Sequence, residues 1–302
     1  MTSGMLHAPI RCPYCNAESA HAFSADDWNQ RASRQHFDYR ACGQCRLIFV
    51  QRIPEDLGSY YVNEQYDVPA RADGFEPRAE SQRWKVDLLT KLVSGGDLFE
   101  VGPATGEFAY VARKAGFRPR LAEMDGQCCK FLREKLKLDV VQTGNPAEAL
   151  EGDSRYAAIC VWQAIEHIPK FWELLDRAVG SLQKGGVMVL STPNPESLQA
   201  KVLGRYWPHI DAPRHLYLIP SDWFVQFARR HGLSVELNTT RDVGSLGLNY
   251  YGWYLAVRNF AGGWLGESGV RRVAGRIAGA LRKREETEGR GCSYTIAFRK
   301  PV

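Results

Sequence analysis

Residues 95–117, GGDLFEVGPATGEFAYVARKAGF, limit the fold more than any other stretch of this chain. A short apolar strand over 97–101 carries an acid, Glu100, just before a loop of small residues: Gly102, Pro103, Ala104, Thr105 and Gly106. A helix follows, with Phe108, Val111 and Ala112 on one face. A strand, small loop and helix in this order bring backbone N–H groups close to a ligand, because the loop side chains leave room. Dinucleotide-binding folds use similar loops, so the unit alone is a weak signal; this loop, however, is not G-x-G-x-x-G. The next strand, RPRLAEMD, ends on Glu123, where a carboxylate can accept both hydroxyls of a ribose.

The same alternation continues. In residues 155–195 an apolar strand runs from Tyr156 to Trp162, followed by Gln163 and then Glu166-His167. A helix with Phe171, Leu174, Leu175, Ala178 and Leu182 on one face comes next, then a Lys-Gly-Gly turn and a strand ending in STPNP. LSVELNTT and CSYTIAFRK read as two last strands that pair antiparallel although about fifty residues separate them, far beyond a hairpin loop. The intervening insert opens on an aromatic run, LGLNYYGWYLAVRNFAGGWL. It ends on GVRRVAGRIAGALRKR, apolar on one helical face and lined with Arg and Lys on the other. Such a helical pair can be a lid over an acceptor pocket, a dimer surface, or an amphipathic contact of residues 269–284 with an anionic membrane; the lid is the reading favoured here.

Four of the eight cysteines form two C-x-x-C pairs, Cys12 with Cys15 and Cys42 with Cys45. Two such turns supply the four thiolates of a tetrahedral zinc site, and the alternating run FDYRACGQC enters the second turn as in a zinc ribbon. Four cysteines leave no open coordination position, so the metal is structural; iron takes the same ligand set. Cys128, Cys129, Cys160 and Cys292 lie in apolar or helical runs and read as buried thiols. The N-terminus lacks the apolar core of a signal peptide and no run reaches the ~18 apolar residues of a membrane span, which makes the cytoplasm the expected location. A net charge of +5 admits an acidic small molecule but falls short of a dedicated nucleic-acid footprint.

Taken together, EVGPATGEF, AEMD, QAIEHIP, LQKGGVMVLSTPN and DAPRHLYLIPSDWF resemble the class I S-adenosylmethionine-dependent methyltransferases. The similarity is greatest to the zinc-ribbon subgroup that acts on deoxysugars, glycans and natural products. It runs in order from Cys12 to about Thr240, with Ala104 where the family usually has glycine. The implied fold is a Rossmann-like, mostly parallel seven-stranded sheet with helices on both faces, an N-terminal zinc ribbon and a C-terminal helical insert. The implied domains are a ribbon over 1–50, a connector over 51–80, a cofactor-binding core over 81–240, the insert or lid over 241–291 and a final strand over 292–302. Tyr60, Tyr61 and Tyr66 mark the connector as a segment that packs.

Residue by residue, the resemblance assigns Glu100, Gly102, Thr105 and Gly106 to the methionine end of S-adenosylmethionine. Glu123 takes the ribose, Met124 and Asn145 the adenine side, and Trp162 and Gln163 lie under the sulfonium. An O–H, C–H or neutral N–H acceptor must lose a proton, for which histidine is the natural base. His215 aligns with a catalytic Glu-His pair of deoxysugar C-methyltransferases, although Arg214 replaces the glutamate. His167 follows Glu166 in a run similar to the E-x-x-E-H of polyprenyl-phenol O-methyltransferases, which can bind a divalent metal; Gln163 stands at its first acid. His209 shares a loop with Asp211, His231 caps a helix, and Arg214 suits a phosphate or carboxylate on the acceptor. The implied activity is methyl transfer to a small or carrier-linked acceptor. An RNA methyltransferase and a non-methylating cofactor-binding protein remain as alternatives.

Overall fold

The computed structural model describes residues 9–61, 67–69, 74–150 and 155–302; Tyr66 lies outside them. Three antiparallel strands open the chain: β1 (Ser19–Asp26), β2 (His36–Cys42) and β3 (Ile48–Val50). Alternation along β2 turns Phe37 and Tyr39 inward, where both are buried. Two short helices, α1 (Phe75–Glu80) and α2 (Arg83–Thr90), lead into the core.

The core then alternates strand and helix: β4 (Gly96–Val101), α3 (Glu107–Lys114), β5 (Phe117–Glu123), α4 (Gly126–Glu134), β6 (Asp139–Gln142), α5 (Pro146–Ala149), β7 (Tyr156–Trp162), α6 (Phe171–Ser181) and β8 (Leu182–Pro193). Helix α7 (Leu198–Leu203), the two-residue strand β9 (Tyr217–Leu218), α8 (Ser221–Arg230), β10 (Ser234–Thr239), α9 (Val243–Glu285) and β11 (Ser293–Arg299) complete the chain. The caps are legible in sequence: Asp125, Ser197 and Asp242 accept from the backbone N–H groups of Cys128, Ala200 and Ser245 at the starts of α4, α7 and α9.

Seven strands form one sheet in the order β10-β11-β8-β7-β4-β5-β6. From β6 to β8 all pairings are parallel, whereas β11 runs antiparallel to both β8 and β10. β7 is buried along its whole length, as a central parallel strand must be. Phe108, Val111, Phe131 and Leu132 pack one face; Phe171, Leu174, Trp223 and Phe224 pack the other. Chain order reverses between β4 and β7, and in such sheets ligands bind outside the carboxyl ends of the strands at that point.

The ribbon is built into the core. Its sheet is β1-β2-β3-β9, so a strand from residues 217–218 completes it. Cys12, Cys42, Cys45 and Phe49 belong to the same apolar cluster as Phe171 and Trp223, and the Tyr14 ring meets Trp172 and Trp223. Helix α9 is two helices joined at Gly266, whose φ of 64° and ψ of 168° break the hydrogen-bond ladder. Among the described residues no helix is long and apolar enough to cross a membrane.

Candidate functional site

A cavity of about 440 Å³ opens at the carboxyl ends of β4, β5 and β7. Its floor comes from Gly102, Ala104, Glu123 and Trp162, its rim from Met124, Thr143, Gly144 and Pro146, and its far wall from Leu57, Tyr61, His167 and Ile168. Gly102 adopts φ +65°, and a Cβ there would lie 2.9 Å from the Cβ of Ala164. The loop therefore closes tightly on the β7 loop and presents bare backbone to the cavity. Ala104 takes φ 52°, bearing as alanine the left-handed turn that glycine would adopt freely.

Glu123 accepts hydrogen bonds from the N–H groups of Ala104 (3.0 Å), Met124 (2.8 Å) and Asp125 (2.9 Å), so one carboxylate ties both loops together. Burial pushes its carboxyl upward and those three N–H groups oppose the shift. Gln163 also takes a left-handed φ of 50°; its amide donates to Ser191 (3.2 Å) and Ser293 (2.7 Å), pinning the turn to β8 and β11. The Trp162 ring lies edge-on to Trp84 and Phe108, with the Lys85 ammonium 5.0 Å from its centre.

Gly102, Glu123, Met124, Trp162 and Gln163 thus meet at one cavity, and other residues assigned to the cofactor do not line it. Glu100 is fully buried behind the loop, its carboxyl pushed up to about 8 by desolvation, which the Lys85 charge opposes; its Oε2 has no hydrogen-bond partner among the described residues. Thr105 donates to Glu107 (2.6 Å) and holds the start of α3. Gly106, at φ +84°, would place a Cβ 2.4 Å from Leu132 Cδ2, so it serves helix packing. The Asn145 side chain turns to Glu148 (2.9 Å), leaving Thr143 and Gly144 at the cavity edge. Gly106→Ala should therefore lower stability by about 1–3 kcal/mol through left-handed strain and overpacking. Cofactor affinity should stay within a few-fold; paired denaturation and calorimetry check this.

The histidines sort by depth. His167 lines the cavity; its Nδ1 lies 2.9 Å from the Arg214 carbonyl and 3.1 Å from the Tyr61 hydroxyl. The carbonyl can only accept, so Nδ1 carries the proton and Nε2 the lone pair. Burial pushes His167 below the usual histidine range, partly opposed by Asp211, and keeps it neutral. His215 sits one layer back, its ring centre 4.6 Å from that of His167. Its Nδ1 is 2.8 Å from the His209 carbonyl, and desolvation, followed by the nearby His167 imidazole, lowers it to about 3. Glu166 Oε1 lies 3.9 Å from His215 Nε2, a close approach beyond hydrogen-bond distance. Thr192 donates to Glu166 Oε2 (3.0 Å), and burial raises that carboxyl to about 8. His209 is buried with its Nε2 against Gly252 of α9, far from the role of base. His231 caps α8 as expected.

Two expectations need correction. Arg214 does not await an acidic acceptor: it is 1% exposed, and its guanidinium donates to Asp211 (2.6 and 2.9 Å), Asp27 (2.9 Å) and the Tyr60 carbonyl (3.0 Å). Against the desolvation that burial imposes, Arg214 holds the Asp211 carboxyl well below the usual range. Nor does the late insert contribute to the cavity among the described residues. Helix α9 packs on α7 and β11 instead, and residues 57–61 and 167–169 form the wall. Tyr61 was legible as a packing ring, but Leu57 and Lys85 carried no sequence signal.

In the ribbon the sulfurs of Cys12, Cys15, Cys42 and Cys45 all lie within 4.8 Å of one another. Cys12 and Cys45 are 3.7 Å apart and Cys15 and Cys42 3.4 Å, near the ~3.8 Å that tetrahedral Zn–S bonds of ~2.3 Å require. The N–H groups of Gln44 and Cys45 point at Cys42 Sγ (3.4 Å each), as in the tight turn of a metal-binding C-x-x-C pair. The donor set fits structural zinc. Glu166, His167 and His215 form a second group of metal-ligand type.

The sequence model of a family described as "Methyltransferase domain" matches residues 75–238. The chain belongs to that family. With the sheet order and the cavity at the switch point, it is a class I S-adenosylmethionine-dependent methyltransferase. Among curated proteins no relative matches this methyltransferase. Solved structures share its fold. A chain of the complex between the Haloferax volcanii Trm112 methyltransferase activator and a provisionally assigned methyltransferase aligns with TM-score 0.53 and 11% identity, covering 83% of this chain and 100% of that one. A Galdieria sulphuraria protein provisionally assigned as a sarcosine dimethylglycine methyltransferase gives 0.51 and 16%, covering 74% and 86%. The Haemonchus contortus phosphoethanolamine N-methyltransferase 2, solved with phosphomonomethylethanolamine and S-adenosylhomocysteine, gives 0.50 and 12%, covering 97% and 71%. At these identities the likeness is one of fold.

Proposed function

We propose that this methyltransferase acts on a small molecule, a glycan precursor or a natural-product intermediate, as its resemblance to the zinc-ribbon subgroup suggests, and that His167 is its general base. The observation that carries the reading is the His167 imidazole in the wall of the Gly102–Glu123 cavity, anchored through Nδ1 and with no hydrogen-bond partner at Nε2 among the described residues. Gly102 and Ala104 offer backbone to the methionine end of the cofactor, Glu123 its carboxylate to the ribose, and Trp162 and Gln163 the surface beneath the sulfonium. The bound cofactor supplies an activated methyl carbon. The chain orients the acceptor, excludes water with Leu57, Tyr61 and Ile168, and takes the acceptor's proton at His167 Nε2. His215, backed by Glu166, holds the His167 ring in place.

The narrow, largely apolar wall favours a small acceptor over RNA, which binds across stacking platforms and basic grooves. The test is transfer of label from methyl-labelled S-adenosylmethionine into fractionated cell extract. Label in the low-molecular-weight fraction, absent with Gly102→Ala, is expected. Label in purified RNA alone would overturn the small-molecule reading, and no label in any fraction would favour a cofactor-binding protein without methylating activity.

A further inference from the structure

Where the ribbon meets α9, a second crevice of about 300 Å³ lies between residues 29–31 and 258–270, sharing no residue with the cofactor cavity. The break at Gly266 shapes one side of it. Arg31 and Arg258 both face it, and both are held by neutral oxygens. Arg31 donates to the Asn259 carbonyl (3.2 Å), and Arg258 donates to the Asn29 carbonyl (3.1 Å) and the Asn259 amide oxygen (3.4 Å). Glu267, the acid in the lining, is already paired with Arg271 at 2.6 Å. The crevice therefore fixes two guanidinium groups in position and leaves their charge without a carboxylate among the described residues.

We infer that this crevice binds an anion of the phosphate or pyrophosphate class, held by Arg31 and Arg258. Two guanidinium forks suit a group with several charged oxygens better than a single carboxylate. The crevice is also wired to the histidine loop. The Asn29 amide accepts from Asn259 (3.0 Å) and donates to Asp211 (2.5 Å) and to the Pro208 carbonyl (2.7 Å). Asp211 in turn grips Arg214 and lies 4.0 Å from His215 Nε2. An anion that draws the two arginines together fixes Asn29, and through it the loop behind His167. The inference stands on this crevice alone and does not depend on the identity of the base or the acceptor.

The test is calorimetric titration of sodium phosphate and sodium pyrophosphate into the full-length, zinc-loaded protein at low ionic strength, where such contacts are least screened. One saturable site is expected. Arg31→Gln and Arg258→Gln should each weaken it tenfold or more, whereas Arg272→Gln, on the exposed face of α9, should change it less than twofold. Arg31 is exposed and makes one bond to a carbonyl, so its variant keeps the fold even if Arg258→Gln does not. Sedimentation with phosphatidylglycerol vesicles separates the sources. Pelleting that needs Arg31 and is reversed by pyrophosphate marks a lipid headgroup, and pyrophosphate binding without pelleting marks a soluble phosphate. No saturable binding of either anion, or equal affinities in Arg31→Gln and the parent, would overturn the site.

Discussion

His167→Ala is expected to lower kcat by about 10²–10⁴, the usual contribution of a positioned general base, with cofactor affinity within a few-fold of the parent. The sign of the pH dependence follows from its surroundings. Burial, the larger influence, pushes His167 below the usual histidine value of ~6.5, and Asp211 partly opposes it. The neutral, proton-accepting form therefore persists above that lowered pKa. The rate should fall on the acid side of it, and the limb should vanish in His167→Ala. His215→Ala should cost less and retain the acid limb, because His215 touches His167 and Glu166 and does not line the cavity. Saturation kinetics across pH for both variants check this; a His167→Ala enzyme with parental kcat would remove it as the base.

Cys42→Ser is expected to release the zinc and to cost stability by about 4 kcal/mol or more, the large end of single substitutions to which a lost metal belongs. It should also reduce kcat, which a detached ribbon would not do. The ribbon carries the histidine loop: Tyr39 donates to the His215 carbonyl (2.8 Å), Asp27 pairs with Arg214 (2.9 Å), and β3 pairs with β9 directly after His215. Cofactor affinity should remain largely intact, since Gly102 and Glu123 stand on β4 and β5. Metal analysis of the parent should give about one zinc per chain, falling to none in the variant. A second equivalent in the parent would place a cation on Glu166, His167 and His215 and displace the base assignment; unchanged kcat in the metal-free variant would uncouple the ribbon from catalysis.

The strands and the loops that line the cavity at their carboxyl ends are legible because their signals are local. Apolar runs set β4, β5 and β7, and the small-residue loop after β4 marks a close backbone approach to a ligand, whichever cofactor is bound. Glu123 reaches the cavity because the fold fixes the end of the second strand there. The histidine loop was not legible to the same degree. PRHLY does not reveal which of its side chains faces the cavity, and Arg214 finds Asp27 across 187 positions of sequence. Glu166 comes within 3.9 Å of His215 only once residues 165–167 and the loop over 208–216 are folded against each other. The helix pattern of residues 269–284 is clear, but pattern alone says which face is apolar and not what that face covers.

The central claim is that the cavity between Gly102, Glu123 and Trp162 holds S-adenosylmethionine, and calorimetry with the parent and Glu123→Ala tests it most directly. Removing that carboxylate deletes the ribose acceptor, worth about 1.5–3 kcal/mol for charge-assisted hydrogen bonds, and frees the three loop N–H groups it now binds. The parent should bind one cofactor per chain, and Glu123→Ala should bind it about 10–100-fold more weakly while retaining its fold. Equal affinity in a folded Glu123→Ala protein would contradict the placement of the cofactor in this cavity.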